Sequence, residues 1–180
     1  MIAYKGMEKG MVCRGYQLRM GLNETPEANC HQNGFHCAAN PMDCLNYYPE
    51  YRSSEYYLVC PCGDLDEDAV DSKISCTHLW VIRRLDRQEF FLHALAYMAD
   101  HPQQRDGFGV QRECGEARNG YAVVRGKKPM AKGKLGDILA FARETADGTK
   151  IEHLSLCEID GKNRLPDIWY DENFRECEAE

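Results

Sequence analysis

The nineteen residues from Cys30 to Tyr48, CHQNGFHCAANPMDCLNYY, constrain this chain more than any other stretch. They hold three cysteines, two histidines, a Gly-Phe-His turn and an Asn-Pro pair. Gly34 to Ala38 reads as a short strand. Asn40-Pro41 then starts a helix: Asn is a good N-cap, Pro fits the first helical position, and Asp43 sits near the positive end of the dipole. Cys44, Leu45 and Tyr48 give that helix an apolar face, and Pro49 ends it.

Thiols and imidazoles this close raise the question of metal. Cys30-His31, His36-Cys37 and Cys60-Pro61-Cys62 are the candidate ligands. Structural zinc takes four N/S ligands, usually from two-ligand knuckles with C-x-x-C spacing. Cys-x-Cys and adjacent Cys-His pairs depart from that spacing, so no metal and no cofactor is expected. The ten cysteines read as free thiols that fill core positions. The N-terminus lacks the basic-then-apolar profile of a signal peptide, and a cytoplasmic protein is expected. No run of eighteen apolar residues exists, so no membrane partner is expected.

Along the rest of the chain, Ile2 to Tyr4 and Met11 to Leu18 read as short strands, with Gly15 marking a bulge or a close backbone approach. Tyr56 to Cys62 and Lys73 to Arg83 read as an antiparallel pair. Strict alternation puts Ile74, Cys76, His78, Trp80 and Ile82 on one face of the second strand. Asp86 to Glu89 is a helix start, and Phe90, Phe91, Ala94, Leu95 and Met98 follow at helical spacing up to Pro102. Gly126 to Lys134 reads as a basic, Gly-punctuated loop. Leu135 to Glu144 reads as a strand, paired through the Asp147-Gly148 turn to Lys150–Ile159, with a helix as the alternative. The fold expected is α+β, mainly antiparallel strands with two or three helices and a C-terminal β-hairpin lobe. The domains expected are 1–102 and a smaller β-rich lobe, 103–180.

The formal charge of −7 argues against general nucleic-acid binding, which needs a basic surface, and suits a basic partner. Asp64, Asp66, Glu67, Asp68 and Asp71 crowd one loop between strands. Asp171, Glu172, Glu176, Glu178 and Glu180 crowd the C-terminus. The partner-binding residues expected are Asp64, Asp66, Glu67, Asp68, Asp71, Glu172 and Glu176. Lys127 and Lys128 are expected as phosphate contacts, and Trp169 and Tyr170 as aromatic anchors. No catalytic residue is expected.

Two parts of the chain resemble one family. Tyr4-Lys5-Gly6, Cys13-Arg14-Gly15-Tyr16-Gln17, Gly34-Phe35-His36-Cys37, Asn40-Pro41-Met42-Asp43 and Asn46-Tyr47-Tyr48 resemble an uncharacterised domain of phages and prophages. Gly126-Lys127-Lys128, Ile159-Asp160-Gly161-Lys162 and Pro166-Asp167-Ile168-Trp169-Tyr170 resemble the closing segment of the same proteins. Many of those carry short Gly-containing repeats between the two parts, of which Cys114 to Arg125 looks like a remnant. Among phage proteins the chain also looks like a type II-A anti-CRISPR, an inhibitor of Cas9. That resemblance implies binding to the Cas9–guide RNA complex, contact with guide RNA or DNA through the basic loop, and mimicry of nucleic-acid charge by carboxylates. An alternative is a diverged ADP-ribosyltransferase. Tyr4-Lys5-Gly6 and Gly34 to Pro41 resemble the opening strands of those enzymes, with Lys5 at the first basic position and no matching catalytic glutamate.

Overall fold

The structure, a computed structural model, describes residues 1–30, 32–50, 52–68, 70–104 and 106–178. His31 and Glu180, both named above, lie outside the described residues. Half of the chain is in strands and 11% in two helices, so the molecule is a mainly-β protein and not the α+β fold expected. The segment after Asn40 shows one reason. It forms a 3₁₀ helix, Pro41–Asn46, too short to add much helix. Asn40 caps it as anticipated, its Oδ1 accepting from Met42 N at 3.1 Å. Tyr47 N bonds back to Cys44 O, three residues away, and the helix goes no further.

Contacts divide the chain into two compact units, Met1–Asp86 and Arg87–Glu180. The first holds β1 (Ala3–Glu8), β2 (Val12–Cys13), β3 (Tyr16–Gln17), β4 (Gly21–Glu24), β5 (Phe35–Ala38), β6 (Ser54–Glu67) and β7 (Lys73–Leu85). Its pairings close a ring. β1 pairs β6 from Ala3↔Val59 to Glu8↔Ser54, β6 pairs β7, β7 pairs β5, and β5 returns to β1 at Tyr4↔Ala38. Closure satisfies strand edges that would otherwise be open. Ala3, Met7, Val59, Ile74, Cys76, Leu79 and Val81 belong to its core. Met11 to Leu18 is not one strand. Arg14 (φ 49°) and Gly15 (φ 78°) turn it into the small β2–β3 hairpin, as two successive positive φ values do.

The acidic stretch expected to be a loop is largely strand. Asp64, Asp66 and Glu67 lie in β6, and of the acidic residues only Asp68 and Asp71 fall between β6 and β7. The alternation expected along β7 also fails. Ile74 and Cys76 are buried, but so are Leu79 and Val81, while Trp80 is 49% exposed and Ile82 38%. Both faces of β7 are buried up to Thr77 and only the face of Leu79 and Val81 beyond it, the change falling where β7 passes from pairing with β5 to pairing with β4. The opposite strand carries an extra residue there, since Cys62 faces His78 and Leu65 faces Cys76. Gly63 makes that bulge at φ +75°, where a Cβ would lie 2.2 Å from both His78 Nδ1 and Thr77 Oγ1.

The second unit opens with α1 (Arg87–Asp100), whose buried face is the expected Phe90, Phe91, Ala94, Leu95 and Met98. β8 (Val110–Glu116), β9 (Tyr121–Lys132), β10 (Ile138–Glu144), β11 (Ile151–Glu158), β12 (Trp169–Asp171) and β13 (Glu176–Cys177) follow. β10 and β11 form the hairpin expected from Asp147-Gly148, with Ile138 opposite Glu158. The remainder of this unit is not a hairpin lobe. β8 pairs β9 in parallel, and β9 pairs β10 in parallel. Parallel neighbours normally need a long crossover, yet only residues 117–120 separate β8 from β9. The chain resolves this by winding as a coil. Ala117 N bonds Lys132 O and Arg118 N bonds Tyr121 O, so adjacent residues hold both ends of β9.

The corner of the coil is the segment expected as a basic loop. Residues 126–129 bulge out of β9, because Arg112 faces Arg125 while Cys114 faces Met130. Glu113 fills the bend. Its carboxylate accepts from Lys127 N at 3.0 Å and Lys128 N at 3.2 Å. The core beneath includes Ala122, Val124, Leu139, Phe141, Ile159 and Tyr170.

Candidate functional site

The first unit contains a cleft of about 530 Å³. Its walls come from β1, the β2–β3 hairpin, β5 and the 3₁₀ helix, so the Cys30–Tyr48 stretch forms much of it. Register explains the assembly. With Tyr4 opposite Ala38, Lys5 comes opposite Cys37, and its Nζ donates to the neighbouring His36 carbonyl at 2.5 Å. Gly6 lets an aromatic ring lie against β1: a Cβ there would come within 2.7 Å of Tyr48 Cδ2. The Tyr48 hydroxyl donates to Cys13 Sγ at 3.1 Å. Burial, then that bond, holds its pKa well above the usual tyrosine value. Tyr56 donates its hydroxyl to the Tyr48 carbonyl and fixes the far end of the 3₁₀ segment.

A polar network ties Asp68 and Ser72 to the 3₁₀ helix and the cleft. Ser72 donates from Oγ to Asp43 Oδ2 at 2.7 Å, and Asn40 N donates to Ser72 Oγ at 2.8 Å. Lys73, 6% exposed, reaches Asp68 at 2.9 Å and the Tyr47 hydroxyl at 2.9 Å. Burial lowers the Lys73 pKa, but the bonds to Tyr47 and Asp68 outweigh it and the net shift is upward. Three cysteines, Cys13, Cys37 and Cys44, also lie along the cleft wall, the last two buried. Burial pushes Cys44 up to about 12 against the opposing charge of Lys5, which leaves it an inert thiol.

The zinc candidates are not brought together. Cys37 and Cys76 are hydrogen-bonded neighbours in the core, while Cys62 is exposed on β6. Among the described residues no group of three or more His, Cys, Asp or Glu could hold a metal ion.

The expected contact residues divide into two sets. Asp64, Asp66 and Glu67 are exposed along β6 around a 46% exposed Leu65. Asp66 also accepts from Cys30 N at 2.7 Å. Asp68 and Asp71 are turned to internal work: the first pairs with Lys73, and the second accepts from Lys73 N at 2.8 Å. In the second unit Glu172 is 8% exposed and accepts from Arg143 at 3.0 Å, while Glu176 is exposed. Lys127 and Lys128 are exposed on the bulge. Trp169 is half-buried, with Lys132 Nζ 5.0 Å from its ring centroid. Tyr170 is 1% exposed and accepts from Leu165 N at 2.7 Å, so it is a core residue and not a surface anchor.

The sequence reading passed over Arg14 and Tyr16 as site residues. Both are exposed on the β2–β3 hairpin and line the cleft. Their signal was Arg14-Gly15, a turn placed among apolar residues.

A family model for a domain of unknown function (DUF7666) matches residues 1–93, which take in every residue of the cleft and of the acidic part of β6. No curated protein and no solved structure matches the chain.

Proposed function

For this chain, which belongs to the DUF7666 family, we propose a function in binding: a phage-encoded anti-CRISPR that engages the Cas9–guide RNA complex and hinders target DNA binding. The observation that supports it is the acidic end of β6. Asp64, Asp66 and Glu67 stand exposed on a long β6–β7 hairpin braced by paired backbone, with Leu65 among them. Carboxylates carried on a paired strand need no ordering of the backbone on binding. They can occupy basic surface that otherwise holds nucleic-acid phosphates. Lys127 and Lys128, on the second unit, are free to contact guide RNA or DNA phosphates through their side chains. Among the described residues no helix is long and apolar enough to cross a membrane, and the proposed site of action is the bacterial cytoplasm.

The test is Cas9 cleavage of a DNA target with increasing amounts of the protein, read beside capture on Cas9 with and without guide RNA. Inhibition should saturate at a fixed stoichiometry and weaken in salt. Asp64→Lys with Glu67→Lys should abolish it. Asp68 and Asp71 are left alone because they hold Lys73. Unchanged inhibition and unchanged salt dependence in the double variant would exclude the acidic arm.

A second reading, an ADP-ribosyltransferase-like enzyme acting on a host protein, is favoured by one observation. The Tyr4-Lys5-Gly6 and Gly34–Cys37 segments that carry that resemblance are paired strands in one cleft. Turnover at trace protein concentration, with a mass shift on the target, would favour it and sink the binding reading.

A further inference from the structure

Beyond Thr77 one face of β7 is open, and that face is apolar. Trp80 lies opposite Leu22 of β4 on one side and Cys60 of β6 on the other. Ile2 continues the row. Ala3 pairs Val59, so the residue before Ala3 falls beside Cys60. Ile2, Cys60, Trp80 and Leu22 thus stand in line across the sheet, on the side away from the buried Val59, Leu79 and Val81. Trp80 is 49% exposed and Ile2 51%, and Ile82, bulged out of the ladder beside them, is 38% exposed. The outer face of an antiparallel sheet ordinarily carries polar side chains. A continuous apolar row with a polar rim marks a contact surface, and an exposed tryptophan at its centre is a typical energetic anchor.

The charges beside the row say what fits over it. On one side, nearest the Gly63 bulge, Glu24 and Cys62 flank His78, with Glu24 Oε1 3.4 Å from His78 Nε2. On the other side Leu58 faces the exposed Arg83. The face is therefore acidic at one end, basic at the other and apolar between. Two copies laid face to face about a two-fold axis along the row bring Trp80 over Trp80. The same axis carries Arg83 of each copy over the Glu24–His78 pair of the other. An axis along the strands would instead bring the two Arg83 ends together, so charge selects the first. Such self-complementarity is what a two-fold contact between identical chains requires.

We propose that the outer face of β4, β7 and β6 around Trp80 docks a second copy of this chain, giving a two-fold dimer with an apolar centre and Arg83–Glu24 contacts at both ends. The patch is three strands and the start of a fourth wide, with strands about 4.8 Å apart. It falls short of the roughly 1,200 Å² that a standard interface buries. The dimer is accordingly weak, with a dissociation constant on the order of 10–100 µM. Asp64, Asp66 and Glu67 take no part in it, so it stands whether or not the protein engages Cas9.

The experiment is sedimentation velocity of the full chain from about 5 to 500 µM, a range that brackets that constant. Wild type should pass from monomer to dimer and form nothing larger, because a two-fold contact is closed. Trp80→Ser should weaken association at least about tenfold, as loss of a central anchor does. Arg83→Glu and Glu24→Arg should each weaken it by about three- to thirtyfold, since every surface pair occurs twice in the dimer. The two changes together should restore it. In a Trp169→Phe chain the Trp80 emission should move to the blue as the dimer forms. Should Trp80→Ser fail to fold, the charge swap at two exposed positions decides the matter. A monomer at every concentration, association indifferent to Trp80→Ser, or a double swap weaker than either single change overturns the proposal. Two results would overturn it by giving the face another occupant. A monomer that loses capture on Cas9 with Trp80→Ser assigns the face to Cas9, and Trp80 emission already blue at the lowest concentration assigns it to another part of the same chain.

Discussion

Glu144→Gln puts the coil of the second unit to a direct test. Glu144, at the end of β10, is 5% exposed and holds one arginine from each of the two neighbouring parallel strands. Its Oε1 accepts from Arg125 Nε at 2.6 Å and its Oε2 from Arg112 Nη2 at 2.9 Å. Those arginines face one another across the β8–β9 ladder, a like-charge pair that is unfavourable unless a carboxylate lies between. Removing one partner from a buried ion pair costs about 3–5 kcal/mol. Two features reduce that figure. The Arg112 side chain is 49% exposed, so its share is that of a surface bridge, at most about 1 kcal/mol. Asp106 remains 3.1 Å from Arg125 after the change. A loss of about 2–4 kcal/mol is expected. The assay is urea unfolding followed by Trp169 fluorescence in a Trp80→Phe background, which leaves one tryptophan of the two, in the second unit. The pH dependence gives an independent check. Burial raises the Glu144 pKa, but the bonds from Arg112 and Arg125 outweigh it and the net shift is downward. A depressed carboxyl contributes stability above its unfolded pKa of about 4.3 and loses it as pH falls through the folded value. Wild type should therefore destabilise on acidification in that window more steeply than Glu144→Gln. A loss under about 1 kcal/mol, the net worth of an ordinary hydrogen bond, would refute the clasp.

Two other expectations concern the first unit. Gly34→Ala forces φ +85° on a residue with a Cβ and places that Cβ 2.9 Å from the Ala28 backbone and 2.4 Å from Ser75 Oγ. A destabilisation of at least about 1–3 kcal/mol is expected, measured by urea unfolding of the intact-tryptophan chain through Trp80, and a neutral result would show that the Gly34 turn relaxes. In native protein an aromatic disulfide reagent should react first with exposed Cys62 and Cys114, and Cys37, Cys44, Cys76 and Cys157 should react only after denaturation. Rapid labelling of Cys44 would contradict its burial.

Features set by local chemistry were legible in the sequence. Asn40-Pro41 capped a helix, the apolar spacing of Phe90 to Met98 marked α1, and Asp147-Gly148 joined β10 to β11. Features set by partners far along the chain were not. β7 is buried on both faces up to Thr77 and on one face beyond it, as its edge passes from β5 to β4, and nothing within Lys73 to Arg83 announces that. Ala122-Val123-Val124 and Ile138 to Ala142 are continuous apolar runs, the mark of strands buried on both faces, but parallel pairing needs two such runs to be matched. The lysines at 127 and 128 looked like a loop because the carboxylate that shapes their bend belongs to Glu113, on another strand. The acidic cluster was correctly located as a cluster, yet only pairing with Lys73 separates Asp68 from its exposed neighbours. Of the cleft, the Cys30–Tyr48 wall was visible as a constrained segment. Its opposite wall was hidden, since Lys5 and Arg14 meet it only through the ring of strands.

The coil has a bearing on how chains of this kind change length. Val110 faces Val123, and Tyr121 faces Ile138, so β8, β9 and β10 follow one another in chain order, with β12 joining the far end of β9 at Ala131. Such an arrangement is nearly one-dimensional. A segment one turn long, added between β8 and β9, would find the same neighbours above and below that those strands offer each other now. The ends would be displaced along the stack without being remade. Insertions that would shatter a sheet built from distant strands are here only further windings of a spring.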